Sequence, residues 1–123
     1  MVPMTPAESV AAAIRQIDGV LWASHGEPTE SENGDRIAWV KFGLERSDRG
    51  WRAADFLAWA LMEDMKRAGF ELLLFPMMPP PFLNEPFEDF CFVLEMLERP
   101  DDHPKNIRRV AELLSEWSLK YYR

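Results

Sequence analysis

The chain predicts an α+β fold, with two helix-strand-strand units and a C-terminal helix building a four-stranded, mostly antiparallel sheet with its helices on one face. Three observations carry this. Apolar spacing switches between helical and alternating periods in the order helix, strand, strand, helix, strand, strand, helix. Residues Ile37–Ala58 and Phe90–Ala111 align at a constant offset of 53, matching Val40 with Val93, Leu44 with Leu97, Glu45 with Glu98, Arg46 with Arg99, Asp48 with Asp101 and Ala58 with Ala111. That match reads as an internal duplication, with units at 5–48 and 50–101 and a last helix at 104–122. Finally, 123 residues suffice for one core without disulfide or metal staples, so 1–123 reads as a single domain.

The first helix opens on Thr5-Pro6-Ala7-Glu8, where the threonine hydroxyl can accept the N–H of Glu8. Val10, Ile14 and Ile17 form its apolar stripe, and Gly19 supplies the left-handed stop. Val20 to His25 is a strand, and Gly26 to Asp35 reads as a solvated hairpin loop because it carries four acids with Pro-Thr and Asn-Gly turn signals. Arg36 to Phe42 alternates and is the second strand. Ser47 or Asp48 caps a second helix, Gly50 to Ala68, with Ala54, Leu57, Ala58, Leu61, Met65 and Ala68 on its inner face. Trp59 falls on the charged side of that helix and needs a covering partner, either another part of the chain or a second protein.

Glu71 to Phe75 is the third strand. Pro76 to Glu88 sets Met77, Met78, Phe82, Leu83 and Phe87 among five prolines. Proline has no N–H to donate, so this segment is a rigid apolar connection rather than a central strand. Two uses suit it equally: a contact surface, or a loop folded onto its own domain. Asp89 to Glu95 is assigned as a strand over the competing helix because FCFVL is aromatic and β-branched. Ile107, Val110, Ala111, Leu114, Trp117 and Tyr121 hold helical spacing and define the last helix.

Charge and motif narrow the function by exclusion. A net charge of −7 argues against a phosphate-neutralising surface, so nucleic acid is not an expected partner. The longest apolar stretch, Leu72 to Leu83, is short and broken by four prolines, so a membrane span is not expected. A lone Cys91 inside an apolar run reads as a buried small hydrophobe in a reducing compartment, and the start of the chain lacks a secretory pattern, which together suggest the cytoplasm. His25 and His103 lack metal-ligand spacing, and neither a nucleophile motif nor a phosphate loop is present, so no cofactor, metal or catalytic set is expected. The paired Glu-Arg-x-Asp segments are explained by strand exit, ion pairing and helix capping. Residues 84–102 hold seven acids against one arginine and residues 103–123 five bases against two acids, which invites contact between them.

Strand alternation then locates a surface. It puts Ala38, Val40, Cys91, Val93, Leu72 and Leu74 beneath the helices. Leu21, Ala23, His25, Ile37, Trp39, Lys41, Glu71, Leu73, Phe75, Phe90 and Phe92 take the far face. An aromatic far face has to be shielded, either by the first helix crossing it, by a second copy of the chain, or by a small molecule or peptide. The expected function is a non-enzymatic binding or interaction protein, a homodimer or the partner of another protein. Trp39, Phe75, Phe92, Trp59, Met77, Met78, Phe82, His25 and Lys41 form its contact set. The alternative is a small-molecule-binding or hydrolytic pocket centred on His25 and Lys41.

Overall fold

The structure is a computed structural model, and it describes residues 4–30, 32–68, 71–77, 90–102 and 105–122. The elements run α1 (Pro6–Arg15), β1 (Val20–Glu30), β2 (Arg36–Leu44), α2 (Asp48–Ala68), β3 (Leu72–Met77), β4 (Phe90–Glu98) and α3 (Lys105–Tyr121). The sheet order is β1-β2-β4-β3, antiparallel at every pairing. The α+β class, the antiparallel sheet and the strand at Phe90–Glu98 therefore agree with the sequence reading.

Local chemistry explains where the elements start and stop. Thr5 Oγ1 accepts the N–H of Glu8 at 3.2 Å, and Gly19 sits at φ 99°, a conformation disfavoured for residues with a Cβ. Gly19 O also accepts the N–H of Glu45 at 2.9 Å, tying the entry of β1 to the exit of β2. Ser47 Oγ accepts the N–H of Gly50 at 3.5 Å, so Ser47 is the cap of α2. Residues 26–30, expected as loop, instead continue β1. The ladder shifts register between Gly26 and Thr29, a bulge that accommodates Pro28, which cannot donate to a ladder. The turn is confined to the Asn33–Gly34 region, where Asn33 Oδ1 accepts the N–H of Asp35 at 3.1 Å and Gly34 has φ 88°.

All three helices pack on one face, around a core of Val10, Ile14, Ala38, Val40, Phe42, Leu44, Leu57, Leu61, Leu94, Met96, Ile107, Val110 and Leu114. α1 lies over β1 and β2, and α3 rests between α1 and α2. The first helix therefore does not cross the far face. On α2 the buried stripe is Ala53, Phe56, Leu57, Ala60 and Leu61, rotated from the expected one, and Ala58 is exposed. The side chains of Met65 and Ala68 lie outside the described set.

The Leu-Glu-Arg-x-Asp segments serve the scaffold in two different ways. Glu98 is fully buried, and its Oε2 accepts the N–H of Ile107 at 3.2 Å, which places a carboxylate at the N-terminal turn of α3. Glu45, at the matching position, pairs with Arg49 at 3.6 Å, and Arg49 is also hydrogen-bonded to Asp18.

Candidate functional site

Cross-strand register fixes which side chains share the far face, because directly opposed residues point the same way. In β2 the alternation is as expected: Ala38, Val40, Phe42 and Leu44 are buried under the helices, leaving Ile37, Trp39 and Lys41 on the other side. From β3, Leu73 and Phe75 join them, opposite Glu95 and Val93, while Leu72 and Leu74 pack against the core.

Two strands correct the expected parity. In β4, Phe92 pairs with Phe42 and stacks on it at 5.9 Å between ring centroids, on the helix side, and Phe90 holds the register position opposite Leu44. Cys91, Val93, Glu95 and Leu97 take the far face instead. Val40 and Val93, matched at offset 53, thus lie on opposite faces. In β1 the register shifts between Val20 and Trp22, an irregularity at Leu21 that reverses the alternation after it. Ala23 and His25 then oppose Phe42 and Val40 on the helix side, and Trp22 and Ser24 oppose Gly43 and Lys41 on the far side.

The residues expected to form one contact set are therefore divided. Trp39, Lys41 and Phe75 share the far face, and Met77 holds the register position opposite Cys91. His25 and Lys41 project from opposite sides of the sheet, which rules out a single pocket centred on both. Phe92 belongs to the core side. Trp59, 43% exposed, lies at the α2–α3 seam against Trp117 at 5.2 Å and Phe56 at 6.3 Å, so α3 is the element that covers its inner side. Met78 and Phe82 lie outside the described residues. Trp22, Ile37, Leu73 and Glu95 are the residues that the expected contact set lacks. Alternation had already put Ile37 and Leu73 on this face, whereas Trp22 and Glu95 were hidden by the parity errors.

The face is apolar with a small polar complement. Trp22, Ile37 and Leu73 are 38%, 41% and 58% exposed, whereas Val93 at the centre is 5% exposed, flanked on its two neighbouring strands by Lys41 and Phe75. The Trp39 indole lies over Gly26, and a Cβ there would collide with its Cε2 and Nε1. Lys41 Nζ sits 4.8 Å from the centroid of the same ring, a cation–π contact that lays the lysine stem along the sheet. Ile37, Glu71, Leu72, Leu73, Glu95 and Leu97 line an open groove of about 330 Å³ at one end. There Arg99 pairs with Glu71 at 3.2 Å, beside the 3.1 Å bond from Leu97 N–H to Glu71 O. The result is an apolar field crossed by Lys41 and Glu95, with the Arg99–Glu71 ion pair at one end.

Among the described residues no group of three or more His, Cys, Asp or Glu side chains could hold a metal ion, and no described helix is long and apolar enough to cross a membrane. No family model, no curated protein and no solved structure matches the chain.

Proposed function

We propose that this chain is a non-enzymatic protein-interaction module, cytoplasmic, whose working surface is the sheet face opposite the helices. The observation that supports it most is that all four described strands contribute apolar side chains to that face while the described helices α1, α2 and α3 pack on the other. A continuous apolar patch of roughly 500 Å² is of the size at which exposed apolar surface is often functional. Around Val93 the face is aliphatic and aromatic with Lys41 and Glu95 as its charged members, and among the described residues these are too few convergent polar groups to orient a reacting small molecule.

The test is site-directed photocrosslinking. A photoreactive phenylalanine analogue at Leu73 should give a protein adduct in cells, and the same group at Glu112, exposed on α3, should give none. No adduct from Leu73 under conditions where the chain is folded and abundant would defeat the reading.

A further inference from the structure

Building on that reading of the far face, we infer that its occupant is a second copy of the same chain, packed sheet against sheet about a two-fold axis, with Lys41 of each copy meeting Glu95 of the other. Three observations converge on this occupant. The first is size. Four strands about 4.8 Å apart, the central two about 30 Å long, present roughly 500 Å². Two such faces bury roughly 1,000 Å² together, at the threshold that a specific interface has to clear. A small molecule seated in the open groove at the Ile37 end would leave most of this area wet.

The second is charge. The chain carries a net −7, yet β2 and β4 bring one base and one acid to the middle of the face, Lys41 opposite Val93 and Glu95 opposite Trp39. A two-fold contact demands a surface complementary to itself, and one base beside one acid satisfies that, giving two reciprocal pairs. A basic partner would meet an unmatched lysine, and an acidic one an unmatched glutamate. The third is shape. Antiparallel sheets stack face to face at about 10 Å with interdigitating side chains, and Ile37, Leu73 and Trp22 are exposed on this one, where they can interdigitate.

Sedimentation equilibrium should return twice the 14.3 kDa chain mass, with monomer appearing only on dilution. Lys41→Glu and Glu95→Lys should each weaken self-association by about 10-fold or more, because each sets two pairs of like charges face to face. An equimolar mixture of the two variants should recover wild-type affinity to within about threefold, since only the mixed dimer restores both opposite-charge pairs. Recovery on mixing cannot come from damage to either fold. Ile37→Glu with Leu73→Glu should give a folded monomer. A wild-type chain that stays monomeric, a dimer unmoved by the Ile37 and Leu73 substitutions, or variants that fail to rescue each other would overturn the inference. The Leu73 crosslink separates the two levels of the argument. An adduct with a protein of another mass defeats the second copy and leaves the interaction face standing, whereas no adduct removes both.

Discussion

Substituting Gly26 by alanine tests the construction of the far face, because two effects of opposite sign compete there. Gly26 is not in the left-handed region, so alanine is compatible with its backbone. In a strand, removing glycine by itself stabilises by about 0.5–1 kcal/mol. Unfolding this chain of 123 residues should release roughly 0.26 kcal/mol/K, so each kcal/mol moves Tm by about 4 °C. Entropy alone would then raise Tm by about 2–4 °C. The added methyl, however, falls inside the Trp39 indole, which has to lift by roughly 1.5 Å to restore ordinary contact. Overpacking of this kind costs about 1–3 kcal/mol and also disturbs the stacking of Lys41 on the ring. The steric effect wins by up to about 2.5 kcal/mol, and Gly26→Ala should lower Tm by up to about 10 °C and shift the Trp39 indole N–H resonance, assigned with Trp39→Phe. A higher Tm with an unmoved indole would refute this packing of Trp39.

Face assignment can be checked in the core as well. Phe42→Ala removes a buried ring stacked on Phe92 and should cost about 3–5 kcal/mol, whereas Leu73→Ala should cost about 0.5 kcal/mol or less in the monomer, both read by urea denaturation. Glu98→Ala removes the acceptor for the Ile107 N–H in a buried site and should destabilise by about 2–3 kcal/mol, with the loss visible as faster amide exchange at the start of α3. The Arg49 guanidinium, hydrogen-bonded to Asp18, holds that carboxyl below its ordinary 3.8. The contribution is present above that pH and is lost as pH falls through the lowered folded value, so Asp18→Asn should narrow its stability gap from wild type on acidification in thermal melts. Burial raises the Tyr122 hydroxyl above its ordinary 10.0, and that hydroxyl donates to Asp18 O at 2.6 Å. The neutral form therefore favours folding, stability should fall as pH climbs past 10, and Tyr122→Phe should flatten that alkaline limb.

What was legible in the sequence follows from where the side-chain pattern carries a period. The last helix and β2 were readable because buried and exposed positions differ in kind, Ala38 and Val40 being small and apolar and Trp39 and Lys41 large or charged. In β4 the run FCFVL is apolar on both sides, so alternation is silent there. Borrowing parity from β2 at the odd offset of 53 then reversed it. In β1 the irregularity at Leu21 has no single-residue signature, and one extra residue flips everything that follows, which separated His25 from Lys41. The strand from Gly26 to Glu30 was masked by its acids and proline, which normally announce a turn. Glu95 escaped notice because its facing depends on the same parity.

The strand order has a consequence for how the molecule comes into being. Because β4 is wedged between β2 and β3, the middle of the sheet is stitched last, by the contribution of Phe90–Glu98. A nascent chain halted before that point holds one hairpin with an inner edge unzipped and a solitary third strand, each a template for wrong pairing. Folding must therefore wait until most of the polypeptide has emerged, and truncations that remove β4 should yield aggregates rather than a smaller domain.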